Sequence, residues 1–310
     1  MRDAFICQLT AIAGADPRVM LLTGDLGFKV FDDYRRLRSR QFLNVGVAEQ
    51  NLAALATGLA LEGHIAFTYS IGNFPTLRCL EQLRNDACYH GANVKVVAVG
   101  GGFSYGPLGF SHHATEDLAI MRALPGMTVL APADLWETEE ATKLLAATEG
   151  CAYLRLDKSH AGRTNRAGEQ FVLGKARLLR DGDAMALIGC GGIVAELLAA
   201  ADELAGEGIA CRVLSHHTLT IADGEAITAA ALETGGLITV EEHSVNGGLG
   251  GVIAEFCLEN GVQPRVFRRL GLRNEFATVV GSQDYLRNRY GMGRQAIVKA
   301  VHDASVRRAS

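Results

Sequence analysis

Short apolar runs alternate with amphipathic stretches along the first half of the chain. The apolar runs predict strands at residues 19–23, 65–69, 94–99, 128–131 and 152–156. The amphipathic stretches between them predict helices at residues 48–62, 75–89, 115–124 and 134–147. This alternation is typical of a mainly parallel sheet that helices cover on both faces.

A polar stretch over residues 157–170 interrupts the pattern, and a second alternation follows it. The later apolar runs predict strands at residues 184–188, 210–214, 237–241 and 264–268. Helices are predicted between them at residues 193–205, 223–233 and 248–259. The simple βαβαβαβ order predicts a second parallel core. We therefore predict an α/β fold with two consecutive domains, 1–157 and 176–310, whose mainly parallel sheets are flanked by helices, joined by a linker at 158–175.

Composition narrows the class of protein. The chain has 310 residues, and its 30 Lys and Arg against 34 Asp and Glu give a net charge of −4, so nothing indicates nucleic-acid binding. No apolar stretch reaches the roughly 18 to 20 residues of a membrane-spanning helix, so no membrane is expected as a partner. Seven scattered cysteines without a CxxC pair indicate reduced thiols in the cytoplasm and argue against a cysteine-ligated metal.

The helix predicted at residues 48–62 carries an acidic residue on its apolar face. Leu52, Ala56 and Leu59 form an apolar stripe, and Glu49 lies on the same stripe. A carboxylate in such a place is costly unless something pairs with it. Two interpretations are open: Glu49 satisfies free N–H groups at the helix start, or it is a buried acid with a chemical role.

Two adjacent histidines end a glycine-rich segment that follows the strand predicted at 94–99. This segment, residues 100–113, begins with three glycines and ends with His112 and His113. Ligands bind at the carboxyl ends of strands in open α/β sheets, so these side chains are candidates to donate protons or to orient a polar substrate. The alternative is a surface turn with one solvated histidine and one helix-capping histidine.

Glycine-rich strand ends also raise the question of dinucleotide binding. A GxGxxG reading from Gly189 places Val194 at the third glycine position, and a reading from Gly100 places Tyr105 there. Neither fits the motif, and the sequence has no P-loop signature. A third glycine-rich segment, 241–251, is interpreted as tight packing between a strand and a helix.

Taken together, several segments resemble the C-terminal half of the transketolase family. They are Val45-Gly46-Val47-Ala48-Glu49-Gln50, the 74–84 segment that ends Glu81-Gln82-Leu83-Arg84, Ser111-His112-His113-Ala114-Thr115-Glu116-Asp117, Met121-Arg122-Ala123-Leu124-Pro125, Pro132-Ala133-Asp134 and Glu241-Glu242-His243. The segments follow the family's order and cover nearly the whole chain. The resemblance implies a pyrimidine-binding domain for thiamine diphosphate, a transketolase C-terminal domain, and transfer of a two-carbon ketol unit from a ketose to an aldose.

The family's diphosphate-binding domain, with its Gly-Asp-Gly…Asn motif, has no counterpart in this sequence. The chain therefore resembles the small subunit of a split transketolase. This resemblance implies a larger partner subunit that carries the diphosphate-binding domain and binds most of the Mg²⁺. It also implies an α2β2 assembly around a homodimer of this chain, with no metal ligand expected in the chain itself. We expect the chain to be inactive alone.

The resemblance assigns four residues to the cofactor. Glu49 matches the glutamate that bonds N1′ of the aminopyrimidine and promotes its imino tautomer. We therefore expect it to be catalytic and to lie in an apolar setting that keeps it protonated or sharing its proton. Phe74 is expected to stack on the pyrimidine, with Tyr69 as the alternative. Arg78 follows Phe74 in the same matching segment and is grouped with the cofactor-binding residues.

The resemblance also assigns residues to the substrate. His112 matches the catalytic histidine that steadies the donor's hydroxyl group or the developing alkoxide, and its neighbour His113 is included with it. Arg155 matches an arginine that contacts the substrate's distal anionic group. Leu108 stands where the family commonly has an aspartate for a sugar hydroxyl, and Gly100 stands where enzymes of sugar phosphates have a histidine for the phosphate. These departures imply a deoxy, branched or otherwise modified sugar.

Two other functions stay open from the sequence. The β subunit of a 2-oxoacid dehydrogenase has the same two-domain layout and the same glutamate, although the segments 111–113 and 241–243 favour a transketolase. A non-catalytic structural or regulatory subunit is the second alternative, and the presence of Glu49 and His112 counts against it.

Overall fold

The first domain is built on one parallel sheet of six strands. The computed structural model describes residues 1–27, 29–158 and 162–306. The strands are β1 (Val19–Thr23), β2 (Phe42–Asn44), β3 (Ile65–Ile71), β4 (Val94–Val99), β5 (Thr128–Leu130) and β6 (Ala152–Leu156). The helices are α1 (Arg2–Ala15), α2 (Asp32–Leu37), α3 (Glu49–Leu61), α4 (Phe74–Leu77), α5 (Leu80–Gln82), α6 (Asp117–Arg122) and α7 (Leu135–Ala147). The strand order is β2-β1-β3-β4-β6-β5.

The five strands predicted for this domain are present, within two residues of the predicted bounds. The prediction of a single helix at 75–89 was wrong. The chain there forms α4, then α5, then a π-helical turn at Leu83–Cys88, because Cys79 leaves the helical region of backbone space with φ −124° and ψ 23°. Elements α1, α2 and β2 were not predicted.

Each face of the first sheet is covered by its own helices. On one face, Leu52 and Ala56 of α3 pack against Ala66 and Val96 in one apolar cluster. On the other face, α1 and α7 pack against a second cluster that includes Phe67. Because strand side chains alternate between faces, neighbouring residues at the end of β3 serve opposite sides of the sheet.

The second domain has a five-stranded sheet in the order β11-β10-β8-β9-β7. Its strands are β7 (Arg177–Arg180), β8 (Met185–Gly189), β9 (Cys211–Ser215), β10 (Leu237–Ser244) and β11 (Phe267–Leu272), and its helices are α8 (Val194–Gly206), α9 (Gly224–Glu233), α10 (Leu249–Glu259), α11 (Gln283–Arg289) and α12 (Arg294–Val306). The core of the sheet is parallel, as predicted. The predicted βαβαβαβ order lacked one strand, the edge strand β7, which runs antiparallel to β9. The predicted fold class, two α/β domains with mainly parallel sheets, is confirmed.

The two domains are in contact beside the segment that connects them. Residues 159–161 of the predicted linker lie outside the described residues, and residues 162–175 contain no helix or strand. The amide of Ala131 donates to the carbonyl of His217 at 2.8 Å, and the amide of Gly191 donates to the carbonyl of Ala131 at 2.9 Å. These bonds fix the end of β5 against the second domain.

Several other features of the described residues bear on the predictions. No helix among residues 1–27, 29–158 and 162–306 is long and apolar enough to cross a bilayer. The same part of the chain holds no group of three His, Cys, Asp or Glu side chains arranged around a metal ion. All seven cysteines are free.

Candidate active site at the carboxyl edge of the first sheet

Glu49 is the first residue of α3, and its side chain points into the protein. Its exposed fraction is 3%. The carboxylate accepts a hydrogen bond from the Ser70 hydroxyl at 3.3 Å and one from Nη1 of Arg78 at 3.0 Å. These partners lie at the end of β3 and after α4, so Glu49 is held by the sheet edge rather than by N–H groups of its own helix.

The surroundings of Glu49 differ from the purely apolar setting expected from the sequence. Arg78 forms an ion pair with the carboxylate, and about half of the Arg78 side chain (49%) is exposed. A guanidinium group is a strong hydrogen-bond donor to a carboxyl group. The chain therefore holds Glu49 as a paired carboxylate with its open side covered by Arg78.

Phe74 and His112 extend this arrangement along the edge of the sheet. The guanidinium carbon of Arg78 lies 4.0 Å from the centre of the Phe74 ring, which is cation–π geometry. The His112 ring meets the same phenylalanine edge-on at 5.3 Å, and its Nδ1 lies 3.1 Å from the Ser111 hydroxyl oxygen. A pocket of about 310 Å³ opens beside Phe74 and Arg78. Four residues that the sequence assigned to one site thus form a continuous series: Glu49, Arg78, Phe74 and His112.

Tyr69 lies on the opposite face of the sheet from Glu49. Its ring packs against Phe5 at 6.2 Å and edge-on against Phe31 at 4.8 Å, and only 2% of the residue is exposed. The strand period accounts for this placement, because the next residue, Ser70, is the one that faces Glu49. Tyr69 is therefore a core residue, and Phe74 is the aromatic side chain that contacts Arg78 and His112.

His113 is buried beneath the loop that precedes it. Its exposed fraction is 2%, its Nε2 lies 3.3 Å from the carbonyl oxygen of Gly106, and its ring meets Phe103 edge-on at 5.2 Å. Burial lowers the pKa of His113. The ring is enclosed by protein atoms next to His112, and its expected contact with the substrate stays a prediction.

Arg155 is also a buried residue in this structure. Its Nε lies 3.0 Å from Oδ2 of Asp117, and its Nη2 donates at 2.8 Å to the carbonyls of both Ala114 and Glu242. Only 2% of the residue is exposed. Its guanidinium group is paired with protein atoms in this structure, and the expected contact with a substrate anion stays a prediction. Arg155 joins the two domains.

The two positions that depart from the family occupy different environments. Leu108 is 54% exposed. Gly100 has φ +97°, and a Cβ there would collide with the ring of Tyr105. The space next to position 100 is therefore filled by a tyrosine ring, which accounts in physical terms for the glycine.

Sequence reasoning missed polar residues at the edge of the site. Ser70 was missed because the strand was ended at residue 69, although extending it by one residue places Ser70 on the face of Glu49. Asn44 was also missed: its Oδ1 accepts from the amides of Asp25 and Gly46, each at 3.0 Å. No local pattern signalled this contact, because it joins the ends of two neighbouring strands.

Comparisons with protein families agree with this two-domain arrangement. Residues 1–163 match the transketolase pyrimidine-binding domain, and residues 174–297 match the transketolase C-terminal domain. The chain is similar to the 6-deoxy-6-sulfo-D-fructose transketolase subunit SqwH of Clostridium sp. (strain MSTE9), with 38% identity over 99% of this chain and 95% of that protein. It is 35% identical to one of the subunits of the apulose-4-phosphate transketolase of Phocaeicola vulgatus, over 97% of this chain and 96% of that one.

A solved structure of a split gene transketolase, an inactive β4 tetramer, superposes on the chain. The TM-score is 0.87 at 33% identity, and the superposition covers 98% of this chain and 97% of that one. The Campylobacter jejuni transketolase shares the fold, with a TM-score of 0.81 at 19% identity, and this chain covers 46% of it. The resemblance to the small subunit of a split transketolase is confirmed. The chain belongs to the transketolase family.

Proposed function

We propose that this chain is the small subunit of a heteromeric, thiamine diphosphate-dependent transketolase that moves a two-carbon ketol unit between modified sugars. The observation that carries the proposal is the series of Glu49, Arg78, Phe74 and His112 at the carboxyl ends of parallel strands, where ligands bind in open α/β sheets. The full-length similarity to two transketolase subunits supports the same function.

The residues at this edge fit the pyrimidine half of thiamine diphosphate. A buried carboxylate suits a ring nitrogen, and the Phe74 ring offers an apolar face beside it. When bound, the cofactor supplies the carbon nucleophile and the electron sink for ketol transfer. Glu49 is the residue that holds and releases a proton toward the ring nitrogen, and Arg78 lies over its Oε2. His112 orients a hydroxyl group of the donor.

The substrate we propose is a ketose altered away from ordinary sugar phosphates. The relatives named above act on 6-deoxy-6-sulfo-D-fructose and on apulose 4-phosphate. In this chain, Leu108 supplies no polar atom at its position, and the space beside Gly100 is filled by Tyr105. Both features favour a sugar whose contacts differ from those of a pentose phosphate.

The remaining parts of the proposal concern the assembly. We propose a larger partner subunit that supplies the diphosphate-binding domain and most of the Mg²⁺ contacts, in an α2β2 complex around a homodimer of this chain. The relatives matched over 95% and 96% of their length are themselves called subunits, which supports a partner. We propose domain bounds of 1–157 and 176–310 around the linker. Seven free cysteines support a cytoplasmic location.

Reconstitution tests this function. The chain is co-expressed with a candidate larger subunit that carries a diphosphate-binding domain. Ketol transfer is then assayed with thiamine diphosphate and Mg²⁺ across a panel of ketoses, including sulfonated, deoxy and branched ones. We expect turnover that needs both subunits and the cofactor. A partner that proves to be a lipoyl acyltransferase supports a 2-oxoacid dehydrogenase instead, and full turnover with Glu49→Ala supports a non-catalytic subunit.

A further inference from the structure

The loop that carries His112 is anchored in the second domain. Phe103 belongs to the first domain by sequence, yet its side chain is fully buried in the apolar cluster of the second domain. There it lies against the Tyr290 ring at 5.6 Å. The glycine-rich loop therefore depends on the second domain for its place.

The backbone of this loop is bound by one carboxylate of the second domain. The amide of Phe103 donates to Oε1 of Glu242, near the end of β10. Gly102 has φ +57°, and a Cβ there would lie 2.5 Å from Cγ of Glu242. Glycine at position 102 thus lets the backbone come close enough for Glu242 to accept the bond.

Glu242 is itself fixed by two residues of α11. Nε of Arg287 donates to Oε2 at 2.6 Å, and Nε2 of Gln283 donates to Oε1 at 2.9 Å. Gln283 also bonds the Ser104 hydroxyl at 3.3 Å. Glu242 is 2% exposed, so its charge is held in one place by these donors.

The two ends of the loop, Gly102 and Ala114, are joined by backbone hydrogen bonds next to Glu242. The amide of Gly102 donates to the carbonyl of Ala114 at 2.8 Å, and the amide of Ala114 donates to the carbonyl of Gly102 at 3.0 Å. Nη2 of Arg155 binds the carbonyls of Ala114 and Glu242 together. His112 lies two residues before Ala114. The hydrogen bonds at Gly102 and Ala114 therefore fix the position of the His112 backbone, from which its ring extends.

We propose that Glu242 is a positioning residue that holds the closed loop of residues 102–114 and thereby places His112. The expected effect on ketol transfer rests on the proposed function. The expected effect on the position of the loop rests only on the contacts described above. Glu242 reaches the substrate only through the loop, so its removal misplaces His112 without removing it. A misplacement of about 1 Å is enough to cost on the order of a hundredfold in rate.

Glu241 provides a matched control. It precedes Glu242, is fully buried, and accepts bonds from the amides of Leu249 and Gly250, at 2.7 and 2.9 Å, inside its own domain. Glu242→Ala removes the acceptor that binds the loop, whereas Glu241→Gln replaces a buried carboxylate of the same strand that binds only amides of its own domain. Gln283→Ala is a milder second variant, because it leaves the pair of Glu242 and Arg287 intact.

The first measurement is amide hydrogen exchange in the purified full chain, which needs no partner and no activity. We expect Glu242→Ala to speed exchange of the Phe103 and Ala114 amides at least tenfold, and Glu241→Gln to leave both unchanged. If Glu242→Ala does not fold, Gln283→Ala is expected to shift the same amides by a smaller factor. Unchanged protection in the folded variants overturns the proposal.

The second measurement is a double-mutant cycle in the reconstituted complex. Glu242→Ala is expected to lower kcat/KM for the ketose about 10- to 100-fold, with thiamine diphosphate affinity unchanged, and this loss should disappear in a His112→Ala background. Equal losses in both backgrounds contradict positioning through His112. If the unaltered complex shows no ketol transfer, the proposed function fails, and hydrogen exchange alone decides whether Glu242 holds the loop.

Discussion

Nη1 of Arg78 donates to Oε2 of Glu49 at 3.0 Å, across the open side of a carboxyl group that is otherwise buried. The pair links the end of α4 to the start of α3. It places Arg78 over the carboxylate oxygen of Glu49 that we propose bonds the cofactor. It also explains how the fold tolerates an acid on an apolar helix face, because a buried carboxylate without a partner is costly.

Removal of this arginine is expected to destabilise the chain. Arg78→Met leaves Glu49 with only the Ser70 hydroxyl among the partners described, while water enters from the exposed side. We expect the free energy of unfolding to fall by about 1–2 kcal/mol at pH 7 in urea titrations. The exposed Arg84, changed to Met, is the control and should shift stability by less than about 0.5 kcal/mol. Equal stability of the unaltered chain and Arg78→Met would contradict the role of the pair.

The two aromatic candidates for the cofactor are separable by substitution. Phe74→Leu is expected to weaken thiamine diphosphate binding to the reconstituted complex at least fivefold, because the ring face is lost. Tyr69→Leu, on the other side of the sheet, is expected to lower the unfolding free energy by about 2–4 kcal/mol and to leave the affinity of the folded complex unchanged. Titration calorimetry and urea unfolding check the two effects. The reverse pattern would place the pyrimidine on the other face.

The two positions that depart from the family are expected to respond differently. Leu108 is solvent-exposed, so Leu108→Asp should change the free energy of unfolding by less than about 0.5 kcal/mol. The same substitution should raise kcat/KM for unmodified ketoses. Gly100→His meets the Tyr105 ring at a positive φ and should cost about 1–3 kcal/mol. Thermal unfolding and a two-ketose competition assay measure both effects. A fully stable Gly100→His would show that the Tyr105 ring does not occupy that space.

Buried histidines are expected to make the second domain sensitive to acid. Burial, with a smaller effect of His216, lowers the pKa of His217 to about 3 from its ordinary value of 6.5. The unfolded chain therefore binds this proton first, and stability present above pH 6.5 is lost as the pH falls toward 3. Between pH 7 and 5 this group alone should cost about 2 kcal/mol.

The substitution His217→Gln tests this dependence. The difference in unfolding free energy between pH 7 and pH 5 should shrink by about 2 kcal/mol in the variant. His90→Gln, at an exposed position, should leave the difference as it is. If both variants keep the full pH dependence, another group is responsible for it.

The strands could be predicted well from the sequence, while the pairing of the site residues could not. Strands β3 and β4 are buried on both faces, so they appear as continuous apolar runs. Glu49 was identified because its place on an apolar stripe is a local pattern. Its partner Arg78 is 29 residues away, and no local pattern reports such a contact.

The partners of Arg155 could not be predicted from the sequence either. Family resemblance assigned it to a substrate anion, but its partner Asp117 and the Glu242 carbonyl come from other parts of the chain. Strand β7 was missed because a short edge strand with polar positions lacks a strong period. The position of Tyr69, in contrast, could have been predicted from the sequence. Side chains alternate along β3, so Tyr69 and Ser70 lie on opposite faces of the sheet, and Ser70 is the one that faces Glu49.

The exchange of Glu49 for Gln in the reconstituted complex tests the central claim most directly. Glutamine keeps the size of the side chain and an acceptor oxygen, but it cannot hold and release the proton. We predict that kcat for ketol transfer falls by about 100-fold or more while the complex still assembles and stays folded. Turnover of Glu49→Gln equal to that of the unaltered complex would contradict the account.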